Sequence, residues 1–245
     1  MPIDFSYSSG DLHVAAAVLR TALEQNARER EERHESPLHR FVTVSRQAGA
    51  AGRSFARQLV ERLNVLPHER LWSCWDQELV EKVSKDHDIE ASIVAQLEDA
   101  PHNWLEEVLE NVSASASRRH PDEFKVYRRV AMTVQALAEA GNAVIVGRGG
   151  VFLTGGMPGG IHVRIVAPLA RRVENVAERE GVALKVAASK VALIEKSRDT
   201  FYKRHWPDRL LTPEEFTVTF NSGRLSIAEM VQAVLPMVQR VPAHV

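Results

Sequence analysis

The chain has 245 residues, 31 Lys+Arg against 32 Asp+Glu, a net charge of −1, 44% hydrophobic residues and a single cysteine. That balance fits one large globular domain with or without appendages and gives no electrostatic reason to expect nucleic acid or an anionic membrane as partner. It also excludes an intramolecular disulfide or thiolate metal cluster. The ten histidines show no ligand-pair spacing, and with neither a membrane span nor a secretory leader expected, the expected location is cytoplasmic.

Residues 1–10 read as a terminal tail. From Asp11, a candidate N-cap, Val14, Ala15, Val18, Leu19, Ala22 and Leu23 recur at helical spacing. The mostly charged run 26–35 reads as a solvated helix end and linker, closed by Pro37. This N-terminal helix is a candidate to pack on its own domain or on a second copy of the chain, and the spacing does not choose.

Phe41-Val-Thr-Val-Ser45 reads as a strand that breaks at Ala48-Gly-Ala-Ala-Gly52. Phe55, Ala56, Leu59, Val60 and Leu63 then form a helical stripe. Strand, small-residue turn and helix is the layout in which backbone N–H groups and a helix N-terminus converge on an anion. The phosphate-loop pattern G-x-x-x-x-G-K-[ST] laid over Gln47 to Ser54 keeps Gly52 and Ser54, with Gln47 in place of the first glycine and Arg53 in place of the lysine. A turn that only lets the helix approach the strand is the plain alternative. A cation followed by a hydroxyl in the first helical turn is what a polyphosphate with Mg²⁺ requires, Ser54 being the metal-side group.

Arg70 to Trp75 reads as a second strand, and Asp76 stands at the N-cap of the helix that follows. Residues 84–120 read as a helical insert, where a lid or acceptor-binding segment would sit. Asp122 to Ala140 is a long helix with a Gly141-Asn142 C-cap. Ala143-Val-Ile-Val146 is apolar throughout, as in a parallel sheet covered on both faces. It runs into Gly147-Arg148-Gly149, and seven of the thirteen glycines lie between Gly147 and Gly160. A dinucleotide fingerprint is not completed there. A mobile glycine-rich loop accounts for Gly155 to Gly160 but not for Arg148, at a strand end facing the presumed crevice.

Ile161 to Val166 is a further strand, with Pro168 in the first turn of the next helix. A helix from Leu184 to His205 carries the stripe Leu184, Ala187, Val191, Ile194, Arg198, Phe201. An arginine on an apolar stripe needs a partner, either an ion pair or a phosphate. Phe216 to Phe220 is the last strand, and Ser226-x-x-Glu229 is a capping box. Alternating strands and helices predict a doubly wound α/β sheet that binds ligands at the carboxyl ends of its strands. Arginine outnumbers lysine 24 to 7; a GC-rich genome explains this without function, and an arginine-clamped phosphate site would draw on the same supply.

These pieces together resemble the cytidylate kinase-like family. The resembling segments are Ser45–Arg53, Trp75–Leu79, Val144–Gly149, His162–Pro168, the 195–206 helix end and Thr217–Ser226. The resemblance implies a three-layer P-loop NTPase fold with a parallel sheet of about five strands. It divides the chain into an N-terminal helical extension over 1–40 and a kinase-like domain over 41–240, with the insert at 84–120 and a lid-like region at 184–209. It implies ATP-dependent phosphoryl transfer, with Mg²⁺, to a nucleoside monophosphate or a similar small phospho-acceptor. Gln47, Ala48, Gly49, Ala50, Ala51, Gly52, Arg53 and Ser54 would hold the donor phosphates, Arg148 and Asp76 the acceptor, and Arg198 and Arg204 would close over the transferring group. Arg53, Arg148, Arg198 and Arg204 are thus the catalytic candidates, and a homodimer through the N-terminal helix is a candidate assembly. The chain departs from the family pattern at Arg53, at Gly149 where an acidic residue is expected, and at Ala50 and Ala51. The 144–150 strand end also carries no carboxylate. The rival classes are a nucleotide-binding sensor that has lost turnover and an interaction module built on the N-terminal helix.

Overall fold

The computed structural model describes residues 9–33, 40–65, 70–85 and 121–239. Residues 1–8 of the predicted 1–10 tail and nearly all of the predicted 84–120 insert lie outside them. In chain order the elements are α1 (Ser9–Arg33), β1 (Phe41–Arg46), α2 (Gly52–Asn64), β2 (Ser73–Asp76), α3 (Gln77–Val83) and α4 (Pro121–Ala140). They continue with β3 (Ala143–Val146), α5 (Gly150–Thr154), β4 (Gly160–Val166), α6 (Leu169–Glu180), α7 (Leu184–His205), β5 (Val218–Asn221) and α8 (Ile227–Gln239). The five strands form one sheet in the order β2-β3-β1-β4-β5, every pair parallel.

Alternation along β1 divides the core into two layers. Phe41 joins Trp75, Ile145, Leu79 and Leu137 on the face covered by α1, α3 and α4. Val42 and Val44 join Phe55, Leu59, Leu63 and Met230 on the face covered by α2 and α8. Both faces are buried, as is usual for a parallel sheet: β3 is apolar throughout, and the polar Thr43, Ser45 and His162 of β1 and β4 are buried with their apolar neighbours. β1 lies between β3 and β4 and outruns β3: Val44 pairs with Val146, while Ser45 and Arg46 go on to pair with Arg164 and Ile165. The chain therefore leaves β1 at the topological switch point, beyond the end of its neighbour, where an open α/β sheet forms its crevice.

Several local expectations shift. The helix α1 begins at Ser9, so Asp11 sits in its first turn rather than at the cap. Its buried face is Ala16, Leu19 and Leu23, while Val14 and Val18 are exposed, because the helix packs on α4 and α3 of its own chain. Asn26, expected in a solvated run, is buried. It donates to the Glu139 carbonyl at 2.8 Å and accepts from Arg70 Nη1 at 2.9 Å, while Arg70 Nη2 caps the Ala140 carbonyl at 2.6 Å. β2 is shorter than expected because its pairing begins at Ser73, opposite Ala143, the first residue of β3. Pro168 is the N-cap of α6, not a residue of its first turn. The segment after β3 is the short helix α5 rather than a loop from end to end. The Ser226–Glu229 capping box forms, with Ser226 N–H on Glu229 Oε2 at 2.7 Å and Glu229 N–H on Ser226 Oγ at 3.3 Å.

One buried histidine gives the fold a pH dependence. His162 in β4 is only 8% exposed, lies edge-on to Phe41 and shares a 2.8 Å hydrogen bond between Nδ1 and Thr43 Oγ1. Burial pushes its pKa down from 6.5 to about 4. Below pH 6.5 the unfolded chain takes up this proton and the folded chain does not. The stability His162 supplies is therefore complete above that pH and is lost as pH falls toward 4, by up to about 3 kcal/mol. Denaturant melts of wild type and His162→Gln from pH 7 to pH 4 should converge by that amount; parallel curves would show that His162 does not titrate with unfolding.

Candidate functional site

The loop between β1 and α2 is held from three sides. Gln47 donates its N–H to the Ile165 carbonyl at 3.0 Å, and its side-chain oxygen accepts from Ala167 N–H at 3.0 Å. The residue at the first-glycine position thus ties the loop to the end of β4. Asn175 of α6 donates to the Gly49 carbonyl at 2.8 Å, and Ser222 after β5 donates to the Ala50 carbonyl at 3.1 Å. Ala48 N–H donates to Glu195 Oε1 of α7 at 2.6 Å.

With its carbonyls anchored outward, the loop turns through two left-handed residues, Gly49 at φ 78° and Ala51 at φ 62°. Ala51 is the N-cap of α2, and the first helical bond runs from Phe55 N–H to its carbonyl at 3.0 Å. The N–H groups of Gly52, Arg53 and Ser54 therefore have no acceptor within the helix. A left-handed residue followed by a helical one is the combination that turns successive N–H groups toward a common anion. Ala51 adopts the left-handed region at a cost of about 1 kcal/mol relative to glycine.

Arg53 lies with its guanidinium 3.5 Å from Asp76 Oδ2. The Asp76 Oδ1 atom caps α3 by accepting from Leu79 N–H at 3.1 Å. Asp76 thus combines the cap read from sequence with an ion pair to the Walker-position cation. Arg148, just past β3, donates to Gln77 Oε1 at 3.2 Å and Ser197 Oγ at 3.3 Å, with its guanidinium 4.7 Å from the centre of the Phe201 ring. On α7, Arg198 pairs with Glu195 at 3.1 Å and donates to the Arg46 carbonyl at 2.6 Å. Ala187 and Val191 of the α7 stripe are buried, whereas Leu184 and Ile194 are exposed, so Arg198 lies on a stripe that becomes polar where it meets the loop. Arg204 lies farther along α7 and lines the Arg148 cavity rather than the loop.

Sequence reasoning missed two members of this group. Arg46, the last residue of β1, donates from Nη1 to the Gly147 carbonyl at 2.8 Å. Burial, and then Arg198, Arg53 and Arg148, lower its pKa to about 9, which leaves it charged at neutral pH. Burial lowers Arg198 as well, with Glu195 opposing and Arg148 adding. Glu195, the other, is set among Ala48 N–H, Arg198 and, at 4.0 Å, Arg172. Its only signal in the sequence is a carboxylate one turn before Arg198. Four guanidinium groups, of Arg46, Arg53, Arg148 and Arg198, thus gather at the carboxyl ends of β1 and β3. Among the described residues two carboxylates, Asp76 and Glu195, pair with them.

Two cavities lie near this end of the sheet, one lined by Arg148 and one beside the loop. One, of about 430 Å³, is mainly apolar and lined by Val80, Tyr127, Val130 and Phe201, with Gln77, Glu81, Arg148 and Arg204 supplying polar groups. The other, of about 810 Å³, is polar and opens beside the loop at Gly49, Ala51 and Ser54, with Asn175, Arg179 and Arg224 opposite. Gly149, where the resemblance leads to an acidic residue, has φ 76°, and a Cβ there would lie 2.1 Å from the Trp206 ring. That position has no room for a carboxylate. Among the described residues no group of three His, Cys, Asp or Glu side chains could hold a metal. The Ser54 hydroxyl, exposed beside the polar cavity, suits a Mg²⁺ that arrives on phosphate oxygens with most of its water, not a resident ion.

A parallel sheet ordered 2-3-1-4-5 with an anion-type turn after its central strand defines a P-loop kinase-like α/β fold. Comparison with known proteins carries this further: residues 41–224 match the cytidylate kinase-like family, and the chain belongs to it. An uncharacterized protein from Eubacterium ventriosum superposes with a TM-score of 0.62 at 18% identity, over 82% of this chain and 98% of that one. A shikimate kinase from Bacteroides thetaiotaomicron superposes more loosely, with a TM-score of 0.44 at 13% identity over 82% and 99% of the two chains. The uronate isomerase of Corynebacterium glutamicum is 27% identical over 113 residues, which is 46% of this chain; the chain spans 21% of that protein's length.

The strain at Ala51 is testable. Ala51→Gly removes the left-handed cost and loosens the unfolded chain by less, so the variant should be more stable by about 0.5 kcal/mol in a denaturant melt. A less stable variant would mean that the Ala51 methyl packs favourably enough to outweigh its backbone.

Proposed function

We propose that this protein transfers a phosphoryl group from Mg-ATP to a nucleoside monophosphate or a similarly small phospho-acceptor. The observation that carries the reading is the arginine cluster at the carboxyl ends of β1 and β3, where, among the described residues, four cations face two carboxylates. Like charges so placed repel one another unless an anion joins them. A triphosphate in the loop and a monophosphate at Arg148 would supply that charge from either side.

In this reading the acceptor phosphate oxygen attacks the terminal phosphorus of the donor, and the bond to the bridging oxygen breaks to leave the nucleoside diphosphate. No covalent catalyst is needed, because the transition state is stabilised by position and by cations around the equatorial oxygens. The N–H groups at the start of α2 and the Arg53 side chain bind donor phosphates; Mg²⁺, bound with the nucleotide beside Ser54, supplies further neutralisation. Arg148 grips the acceptor phosphate at the mouth of the apolar cavity, which suits a base or another flat, mainly apolar group. Asp76 holds Arg53, and Arg198 and Arg204 approach from α7 over opposite ends of the site. Residues 41–240 form the transferase unit, cytoplasmic in this reading. α1 braces that unit through α3 and α4, so a homodimer through α1 would use its other face, at Val14 and Val18.

A second reading, a nucleotide sensor without turnover, is favoured by one contact: the Walker-position cation is arginine and is paired with Asp76. Incubation with Mg-ATP and a panel of monophosphates separates the two. ADP formation that depends on one acceptor is expected, and binding of ATP without ADP formation for every acceptor would favour the sensor. With the active acceptor, Arg148→Lys should raise its KM about tenfold or more while leaving ATP affinity unchanged, because lysine cannot reproduce the bidentate fork.

A further inference from the structure

The four clustered arginines differ in what they are bonded to. Arg53 lies 3.5 Å from Asp76 and Arg198 lies 3.1 Å from Glu195, so each brings little net charge to the site. Arg46 and Arg148 are bonded to neutral groups: the Gly147 carbonyl at 2.8 Å for the first, Gln77 Oε1 and Ser197 Oγ at 3.2 and 3.3 Å for the second. Arg148 stands on the acceptor side. Arg46 belongs to the donor side, because it is the residue from which the loop departs.

The path of the Arg46 side chain is specific. A Cβ at Gly52 would lie 2.8 Å from both Cβ and Cγ of Arg46. The aliphatic stem therefore passes against the first turn of α2, where the N–H groups lack helical acceptors. The guanidinium is then held at Gly147, and the Arg46 carbonyl is held by Arg198 Nη1 at 2.6 Å. The side chain is thus fixed at both ends. A purely structural role accounts poorly for it, because a buried guanidinium bonded to a neutral carbonyl, with Arg148 also on neutral groups, opposes folding unless an anion is present.

Resting on the phosphotransferase reading above, we propose that Arg46 is the principal donor-phosphate cation of this chain, reaching the phosphates from the strand side in the role that a P-loop lysine fills from the helix. Arg53, held at the end of β2 by Asp76, is then a secondary contact to the same phosphates. The Lys-to-Arg departure at position 53 and the arginine at position 46 become one arrangement, in which the cation has moved from one side of Gly52 to the other.

Calorimetric titration of the full chain with tripolyphosphate and with Mg-ATP, alongside unliganded melting temperatures, tests this on wild type, Arg46→Gln, Arg46→Lys and Arg53→Gln. Arg46→Gln should weaken both anions by about thirtyfold, since a charge-assisted contact is lost, yet melt no lower than wild type without ligand because a repulsion is relieved. Arg46→Lys should keep the fold and bind between wild type and Arg46→Gln, and Arg53→Gln should weaken binding only about threefold. An Arg46→Gln chain that binds like wild type overturns the proposal. So does one that melts lower or fails to fold, which makes Arg46 structural, and so does a larger loss in Arg53→Gln than in Arg46→Gln. Wild-type protein that binds neither anion overturns the phosphotransferase reading and this proposal with it.

Discussion

Repulsion among guanidinium groups is the constraint around which this end of the molecule is arranged. Arg46, Arg53, Arg148 and Arg198 come from β1, α2, the end of β3 and α7, and each is placed by a different part of the fold. Arg46 is placed by the extra length of β1 beyond β3 and by the Gly147 carbonyl, Arg53 by Asp76, Arg148 by Gln77 and Ser197, and Arg198 by Glu195. In the proposed reading, the burial that lowers the pKa of Arg46 and Arg198 favours a multiply charged ligand. A desolvated cation gains most from an anion that brings its charge to short range.

The loop follows the same logic in reverse. Its carbonyls and flanking groups are engaged outward by Asn175, Ser222 and the end of β4, which leaves the N–H groups at the start of α2 facing inward. Glu195 ties the loop to α7 through Ala48 and holds Arg198 with the same carboxylate oxygen. Movement of α7 and reshaping of the loop are therefore coupled through one side chain. Trp206 closes against Gly149 at the far end of that helix, so an acidic residue there would require α7 to stand away from the sheet.

The sheet was legible because β3 is an apolar run and β1 and β4 carry closely spaced β-branched residues; the loop was legible because small residues interrupt a strand just before a helical stripe. Asp76, Arg148 and Arg198 announced themselves as polar residues at strand ends or on an apolar stripe. Arg46 did not, because an arginine closing an alternating strand looks like any solvent-facing residue, and only the register, which carries β1 past β3, shows that it points into the crevice. Its usable signal was adjacency: a cation immediately before a phosphate-type turn. Asn26 and Glu195 were hidden for a related reason. A polar residue within a charged run or on a helix is read as solvated, and its partners, Arg70 and Ala48, are 44 and 147 residues away in the chain.

In the proposed reading, the excess positive charge of this cluster is completed by a polyphosphate. This claim is tested most directly by thermal unfolding of the wild-type chain in rising tripolyphosphate, beside sodium chloride matched in ionic strength. A ligand that binds only the folded state raises the melting temperature in proportion to the logarithm of its concentration above Kd, whereas screening of exposed charges depends on ionic strength alone. A continuing rise with millimolar tripolyphosphate that the chloride series lacks is the expected result. Two superimposable series would contradict the claim, because the cluster would then gain no more from a polyanion than from salt.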